Sequence, residues 1–307
     1  MNLIAGIITA VVGLLLAILS IVGVIPGFTP AGVVLILLGG LFIGLSFIDK
    51  PSTEGVERMS TPSTLLNIFV SPTEVFQNLR RHPRWLVAVI IMSALSATYS
   101  NLFFYRLTPE RIANFTIDKT LEMPMVTGDA RVQVEGGRQK AIEDAKNPVL
   151  RVAQAISGFA MSILGYAFLA ALFLLIALAF GGTINYWQAF SAVVYAMFPV
   201  AVLRFILNSI VLFIKDPTDI HPILGQQSLI QDNLGFLVLP AEHPVIYTIL
   251  ASLSLLTFYW IWLQATGLKN AGERISGSTA WTSALIVFGG MLLLGIVAAF
   301  LFPSFLS

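Results

Sequence analysis

The sequence predicts an all-α membrane protein of about seven transmembrane helices, a two-span hairpin followed by a five-span bundle. Three observations predict it. The chain is 57% hydrophobic and only 11% charged, and its mean hydropathy is +0.87, well outside the range of water-soluble domains. Seven uncharged or nearly uncharged runs are long enough to cross about 30 Å of hydrocarbon as helices. The charged residues collect between those runs.

The first run, 3–25, has no Lys or Arg ahead of it and exceeds the core of a secretory signal, so it is expected to be a retained span. The second is 31–48. Only Pro26-Gly27-Phe28-Thr29-Pro30 separates the two, which is the chemistry of a tight reversal. Residues 1–48 therefore read as a hairpin. Gly39, Gly40 and Gly44 give its second span a ridge of small residues, and Gly289, Gly290 and Gly295 give the last span a similar one.

Residues 49–84 form a polar connector with five basic and four acidic residues. Within it, Ser71-Pro72-Thr73-Glu74 reads as a capping box that starts a helix at Pro72. Val75, Phe76 and Leu79 share one face, and Arg80, Arg81 and Arg84 gather near the end, where Pro83 stops the helix. This pattern predicts an interfacial helix, with the apolar face in the headgroups and the arginines on anionic phosphates.

The remaining residues, 85–307, carry spans at 85–105, 157–180, 189–214, 245–268 and 280–302. A polar loop at 106–156 holds eight basic and seven acidic residues, with helices expected to start near Pro109 and to cover 138–146. It has too few large apolar groups for a core of its own and reads as an appendage. A second loop, 215–244, carries one basic and four acidic residues.

The span 189–214 contains Arg204, with Asn208 one turn on. A charge in hydrocarbon is costly and usually faces a cavity or a partner. Pro199 removes a helical hydrogen bond and frees the Tyr195 carbonyl, so Arg204, Asn208, Tyr195 and Pro199 form the candidate intramembrane polar site, expected on an inward face. A headgroup or solute site competes there with a charge that merely snorkels. Tyr99, Asn101, Tyr166 and Gln264 read as bonds between helices.

Several activities find no support in the residues. There is no cysteine, and the nucleotide-loop, zinc-protease and nucleophile-elbow patterns are missing. Asp216, Asp219 and His221 match no trusted metal spacing. No catalytic residue, cofactor or metal is expected. A formal charge of +1 gives no basic field for nucleic acid. The expected partners are the lipid bilayer, anionic lipid within it, and a membrane protein or a second copy of the chain.

Basic residues near span ends set orientation. A cytoplasmic N-terminus places seven inside and the reverse places nine, but the long loop offsets its eight with seven acids. The compact cluster at Arg80-Arg81-His82-Pro83-Arg84 favours the cytoplasmic N-terminus.

The stretch Phe69-Val70-Ser71-Pro72-Thr73-Glu74-Val75-Phe76, followed by Leu79, Pro83, Arg84 and Trp85, resembles the bacterial branch of the Yip domain family. So does Phe190-Ser191-Ala192-Val193-Val194-Tyr195-Ala196-Met197-Phe198-Pro199. The resemblance runs from about 69 to 302. It implies a five-span domain with a cytoplasmic N-terminal side, in a bacterial cytoplasmic membrane, preceded here by an added hairpin. The acidic Gly-Pro motif of the eukaryotic members has no counterpart, so their GTPase-linked traffic role does not carry over. The function expected is that of a non-enzymatic membrane-organising or partner-binding protein. The alternatives are a transporter or lipid scramblase built on Arg204 and Asn208, and an accessory subunit of a larger complex.

Overall fold

The computed structural model describes residues 3–53 and 55–306. Met1 and Asn2 of the expected hairpin, Glu54 of the connector and Ser307 lie outside them. The helices in chain order are α1 (Leu3–Ile21), α2 (Thr29–Leu45), α3 (Thr61–Val70), α4 (Pro72–Arg81), α5 (Leu86–Leu107), α6 (Pro109–Leu121) and α7 (Asp129–Gly136). They continue with α8 (Arg138–Lys146), α9 (Pro148–Ala179), α10 (Tyr186–Ile214), α11 (Leu224–Gln227), α12 (Pro244–Ser252), α13 (Leu255–Ala271) and α14 (Gly277–Leu301). Five are long and apolar enough to cross a membrane: α1, α5, α9, α10 and α14.

Two of the seven expected spans differ. The second, α2, has 17 residues, about 26 Å of helix at 1.5 Å per residue, because the chain turns at Ser46 rather than continuing to Ile48. The sixth is broken into α12 and α13 at Leu253-Ser254. The freed amides at the break find acceptors in the preceding loop: Leu255 N–H donates to the Asp232 carbonyl (3.1 Å) and Leu256 N–H to the Asp232 carboxylate (3.1 Å). Ser254 Oγ accepts from Thr257 N–H (3.0 Å) and caps α13. In the opposite direction α9 exceeds the expected span, starting at Pro148 and running 32 residues.

The chain divides into two compact units. Unit 1 comprises Met1–Ala94, Pro148–Pro199 and Ile261–Leu285. Its hairpin is closed by backbone proximity. A Cβ at Gly13 would stand 2.7 Å from the Gly32 carbonyl oxygen, and one at Gly39 would stand 2.5 Å from the Ala10 nitrogen. Gly6 and Gly32 face similar approaches, whereas Gly40 and Gly44 face open space. Of the expected ridge, only Gly39 carries the contact. At the turn, Ser20 Oγ accepts from Phe28 N–H (3.0 Å) and from the Thr29 hydroxyl (2.9 Å). The outer faces of α1 stay apolar and uncovered, with Ile4 62%, Ile8 57% and Leu15 54% exposed, which is a surface suited to lipid and not to water.

Unit 2 comprises Leu95–Asn147, Val200–Trp260 and Ile286–Ser307. Its core joins Tyr99, Phe103 and Leu107 of α5 to Ile112 of α6, Leu212 of α10 and Ile220 and Leu229 of the loop. The polar appendage is tied to this core through α6. Arg111 donates to the carbonyls of Pro217, Thr218 and Ile220. Arg138 pairs with Asp118 and Glu135 and donates to Asn114, fastening α8 to α6. In the loop, Asp216 caps the turn at Thr218, and His221 Nδ1 accepts from the amides of Ile223 and Leu224 (3.2 and 3.1 Å). Among the last span's glycines, Gly289 and Gly290 face open space, and a Cβ at Gly295 would meet Thr248 at 3.3 Å.

Candidate functional site

The polar connector builds the most developed side-chain network of unit 1. Pro72 starts α4 as the sequence requires, but Ser71 makes no capping bond, because it also ends the preceding helix α3. That helix is new relative to the sequence reading. Its signal is Ser60, whose hydroxyl accepts from Ser63 N–H (3.2 Å), followed by Pro62 in the first turn and the apolar run Leu65-Leu66-Asn67-Ile68-Phe69-Val70.

The apolar face of α4 does not lie in the headgroups. Val75, Phe76 and Leu79 are all 0% exposed. The Phe76 ring fills the space left by Gly267, where an added Cβ would sit 3.0 Å from it. A groove of protein thus takes the stripe assigned above to lipid. The outward face of α4 is polar, with Thr73, Glu74 and Gln77 exposed. It is α3 that shows apolar groups, Leu66 at 69% and Val70 at 78% exposure, one turn apart.

Two hydrogen-bonded hubs hold α4. At its end, Arg80 pairs with Glu273, and Arg81 approaches the same carboxylate at 3.5 Å. Gln188 at the start of α10 donates to the Arg80 carbonyl (3.0 Å) and to Glu273 Oε1 (3.3 Å). The hydrogen bond from Arg80 holds the Glu273 carboxyl below its ordinary 4.5 and, reciprocally, raises the Arg80 guanidinium. Because the folded value is depressed, this stabilisation is complete above the ordinary carboxylate value and is lost as pH falls through the lower folded value. Both partners are about a third exposed (30% and 34%), so screening limits the pair to about 1 kcal/mol or less. Wild type is expected to lead Glu273→Gln by that amount in chemical unfolding at about pH 7, with the gap closing below about pH 4. A gap that widened on acidification would remove the pair from the fold.

The second hub centres on Asn78, which is 8% exposed. Its Nδ2 donates to the Glu57 carbonyl (2.8 Å) and its Oδ1 accepts from Met59 N–H (3.2 Å), which pins the connector onto α4. Arg84 Nη2 donates to the Met59 carbonyl (2.6 Å), to Thr64 Oγ1 and to Asn78 Oδ1 (3.4 Å). His82 Nε2 donates to the Val56 carbonyl (2.8 Å). Of the arginines expected on phosphates, Arg80 is thus paired to protein at Glu273, and Arg84 is bound to protein through its Nη2.

The intramembrane candidates separate. Tyr195 and Pro199 belong to unit 1, and Arg204 and Asn208 to unit 2. The helix α10 continues through Pro199, and Tyr195 is 1% exposed. Asn208 is buried, its Oδ1 accepting from Leu229 N–H (2.9 Å), while Arg204 one turn earlier is exposed. The shared inward face expected for Arg204 and Asn208 is thus not formed, since the side chain that enters the core is the one with a backbone partner there. Asp232 is the acid whose charge acts on Arg204. Of the other intramembrane polar groups, Tyr99 bonds to the Gly225 carbonyl (2.7 Å), Gln264 to the Val193 carbonyl (3.5 Å) and Tyr166 to Met92 Sδ (3.9 Å), whereas Asn101, expected to bond between helices, donates back to the Ala97 carbonyl of its own helix (2.8 Å). No group of three or more potential metal-ligating side chains occurs among the described residues.

Comparison with known proteins gives one match. The family model described as Yip1 domain covers residues 66–302, well over half of the chain. No curated protein and no solved structure matches.

Proposed function

Because this chain belongs to the Yip1 domain family, we propose that it is a non-enzymatic, multi-pass membrane protein that organises the membrane or recruits a partner through the outward surface of α3 and α4. The observation that carries this reading is the anchoring of α4. Its apolar face is buried, its C-terminal end is paired to Glu273, and the connector before it is fixed by Asn78. An amphipathic helix so held presents a fixed polar face, with Thr73, Glu74 and Gln77 outward, suited to a protein partner rather than to acyl chains. Leu66 and Val70 beside it suit the headgroup boundary.

In this reading the surface lies on the cytoplasmic side of a bacterial cytoplasmic membrane. The chain has no cysteine, so Gln77→Cys gives a single thiol, expected to react with an impermeant reagent only in inside-out vesicles. Purification in a mild detergent is expected to retain one protein at fixed stoichiometry, lost in Glu74→Lys with Gln77→Arg while the unfolding temperature holds. Labelling from the outer side, or retention unaffected by the charge reversal, would refute the assignment of this surface.

The broken span supports a second reading, a transporter or scramblase. Discontinuous helices commonly build substrate sites at their inner ends, and here Asp232 occupies the start of α13 with its charge acting on Arg204. Lipid exchange by reconstituted wild type, lost in Asp232→Asn, would favour it over the first.

A further inference from the structure

The connector module treats its arginines in two ways. Arg80 and Arg81 share the carboxylate of Glu273. Among the described residues, Arg84 has no carboxylate partner. Its Nη2 alone serves the three oxygens of Met59, Thr64 and Asn78, and its Nε and Nη1 are buried with no acceptor among the described residues. Among the described residues, the titratable groups acting on it are the Tyr195 phenol and the guanidinium of Arg58, which adds positive charge. Arg58 itself is exposed.

A guanidinium sheltered from water needs an opposite charge or a full set of acceptors, and leaving donors empty costs about 1–3 kcal/mol each, more for a charged group. Here three N–H bonds, one on Nε and two on Nη1, stand empty beside a second cation. An oxyanion with several acceptor oxygens would satisfy both at once. We propose that Arg84 and Arg58 form a binding site for a phosphate group, reached when the irregular segment before α3 yields.

The chemistry favours phosphate over a carboxylate because its oxygens spread over a tetrahedron and accept from separate donors on two arginines. Position favours a phospholipid as the source, since the site adjoins α3, whose Leu66 and Val70 are exposed apolar groups, and precedes α5, which is long and apolar enough to span. A soluble phosphate shares the same chemistry. The site is independent of the partner surface on α4, and its failure would leave that reading standing.

The test uses the full chain in an uncharged detergent, with dioctanoyl phosphatidylglycerol, dioctanoyl phosphatidylcholine and inorganic phosphate as separate probes, read by unfolding temperature. Phosphatidylglycerol is expected to raise the temperature in a saturable way and phosphatidylcholine is not. A rise with inorganic phosphate alone would assign the site to a soluble ligand. Arg58→Gln removes an exposed side chain with no hydrogen bond among the described residues, so the probe-free temperature should hold while apparent affinity falls about fivefold. Arg81→Gln, equally basic but paired to Glu273, should bind as wild type. Arg84→Lys keeps the charge and loses the empty donors, so it should weaken binding further. No rise with any probe would overturn the site. Equal weakening in Arg58→Gln and Arg81→Gln would also overturn it, by showing diffuse attraction to a basic surface.

Discussion

Gly39→Leu is expected to open the N-terminal hairpin. The backbones of α1 and α2 approach so closely that even a Cβ at this position would lie 2.5 Å from the Ala10 nitrogen and 2.6 Å from the Ala10 Cβ. Neither obstacle is the far end of a flexible side chain, so the helices themselves must separate. Overpacking of this kind costs about 1–3 kcal/mol, and more when the contact is backbone against backbone. Separation also forfeits the dispersion contacts that hold membrane helices together where lipid offers no hydrophobic penalty. Gly40→Leu is the control, because a Cβ there meets nothing within 4 Å. Unfolding of both variants in one detergent should show a large loss for Gly39→Leu and almost none for Gly40→Leu. Equal losses would mean that the hairpin does not pack in this register.

That contrast also shows what a sequence can say. Small residues spaced along an apolar run announce close helix packing, but not which of two neighbouring glycines makes the contact. Gly39 and Gly40 differ by about 100° around the helix axis, and the register of α1 against α2 decides between them. The period of Val75, Phe76 and Leu79 was legible in the same partial way. It defines an apolar face and leaves open what covers it, since a lipid headgroup layer and a groove beside Gly267 accept the same stripe. The start of α4 at Pro72 was readable to the residue and Pro83 bounded its end, whereas α3 was hidden in a connector rich in Ser, Thr and Pro, although Ser60 and Pro62 marked its start.

The ruler of apolar length performs unevenly for a similar reason. It registers composition, so α5, α10 and α14 were readable with small shifts of boundary. It is blind to a loop that supplies acceptors, and the interruption at Leu253-Ser254 depends on Asp232, more than twenty residues away in the sequence. Arg204 and Asn208 were grouped because residues four apart share a helical face. The fold separates them through one particular bond, from the Leu229 amide to Asn208, that no local pattern encodes.

The central claim, that α4 is an internal element of unit 1 and not a helix resting on lipid, predicts a large effect at Phe76. The side chain is 0% exposed and fits against Gly267, with its ring 3.0 Å from the position of a Gly267 Cβ. Truncating a buried phenylalanine removes its burial and leaves a cavity, costing about 3–5 kcal/mol. Its neighbour Gln77 is exposed, and Gln77→Ala should change stability by no more than about 0.5 kcal/mol. The deciding measurement is reversible unfolding of wild type, Phe76→Ala and Gln77→Ala in a neutral detergent, where no anionic surface is present to bind a superficial helix. A loss of several kcal/mol confined to Phe76→Ala is the result expected of a helix packed within protein. Unchanged stability in Phe76→Ala, with weakened binding to anionic vesicles in its place, would return α4 to the membrane surface and contradict the account.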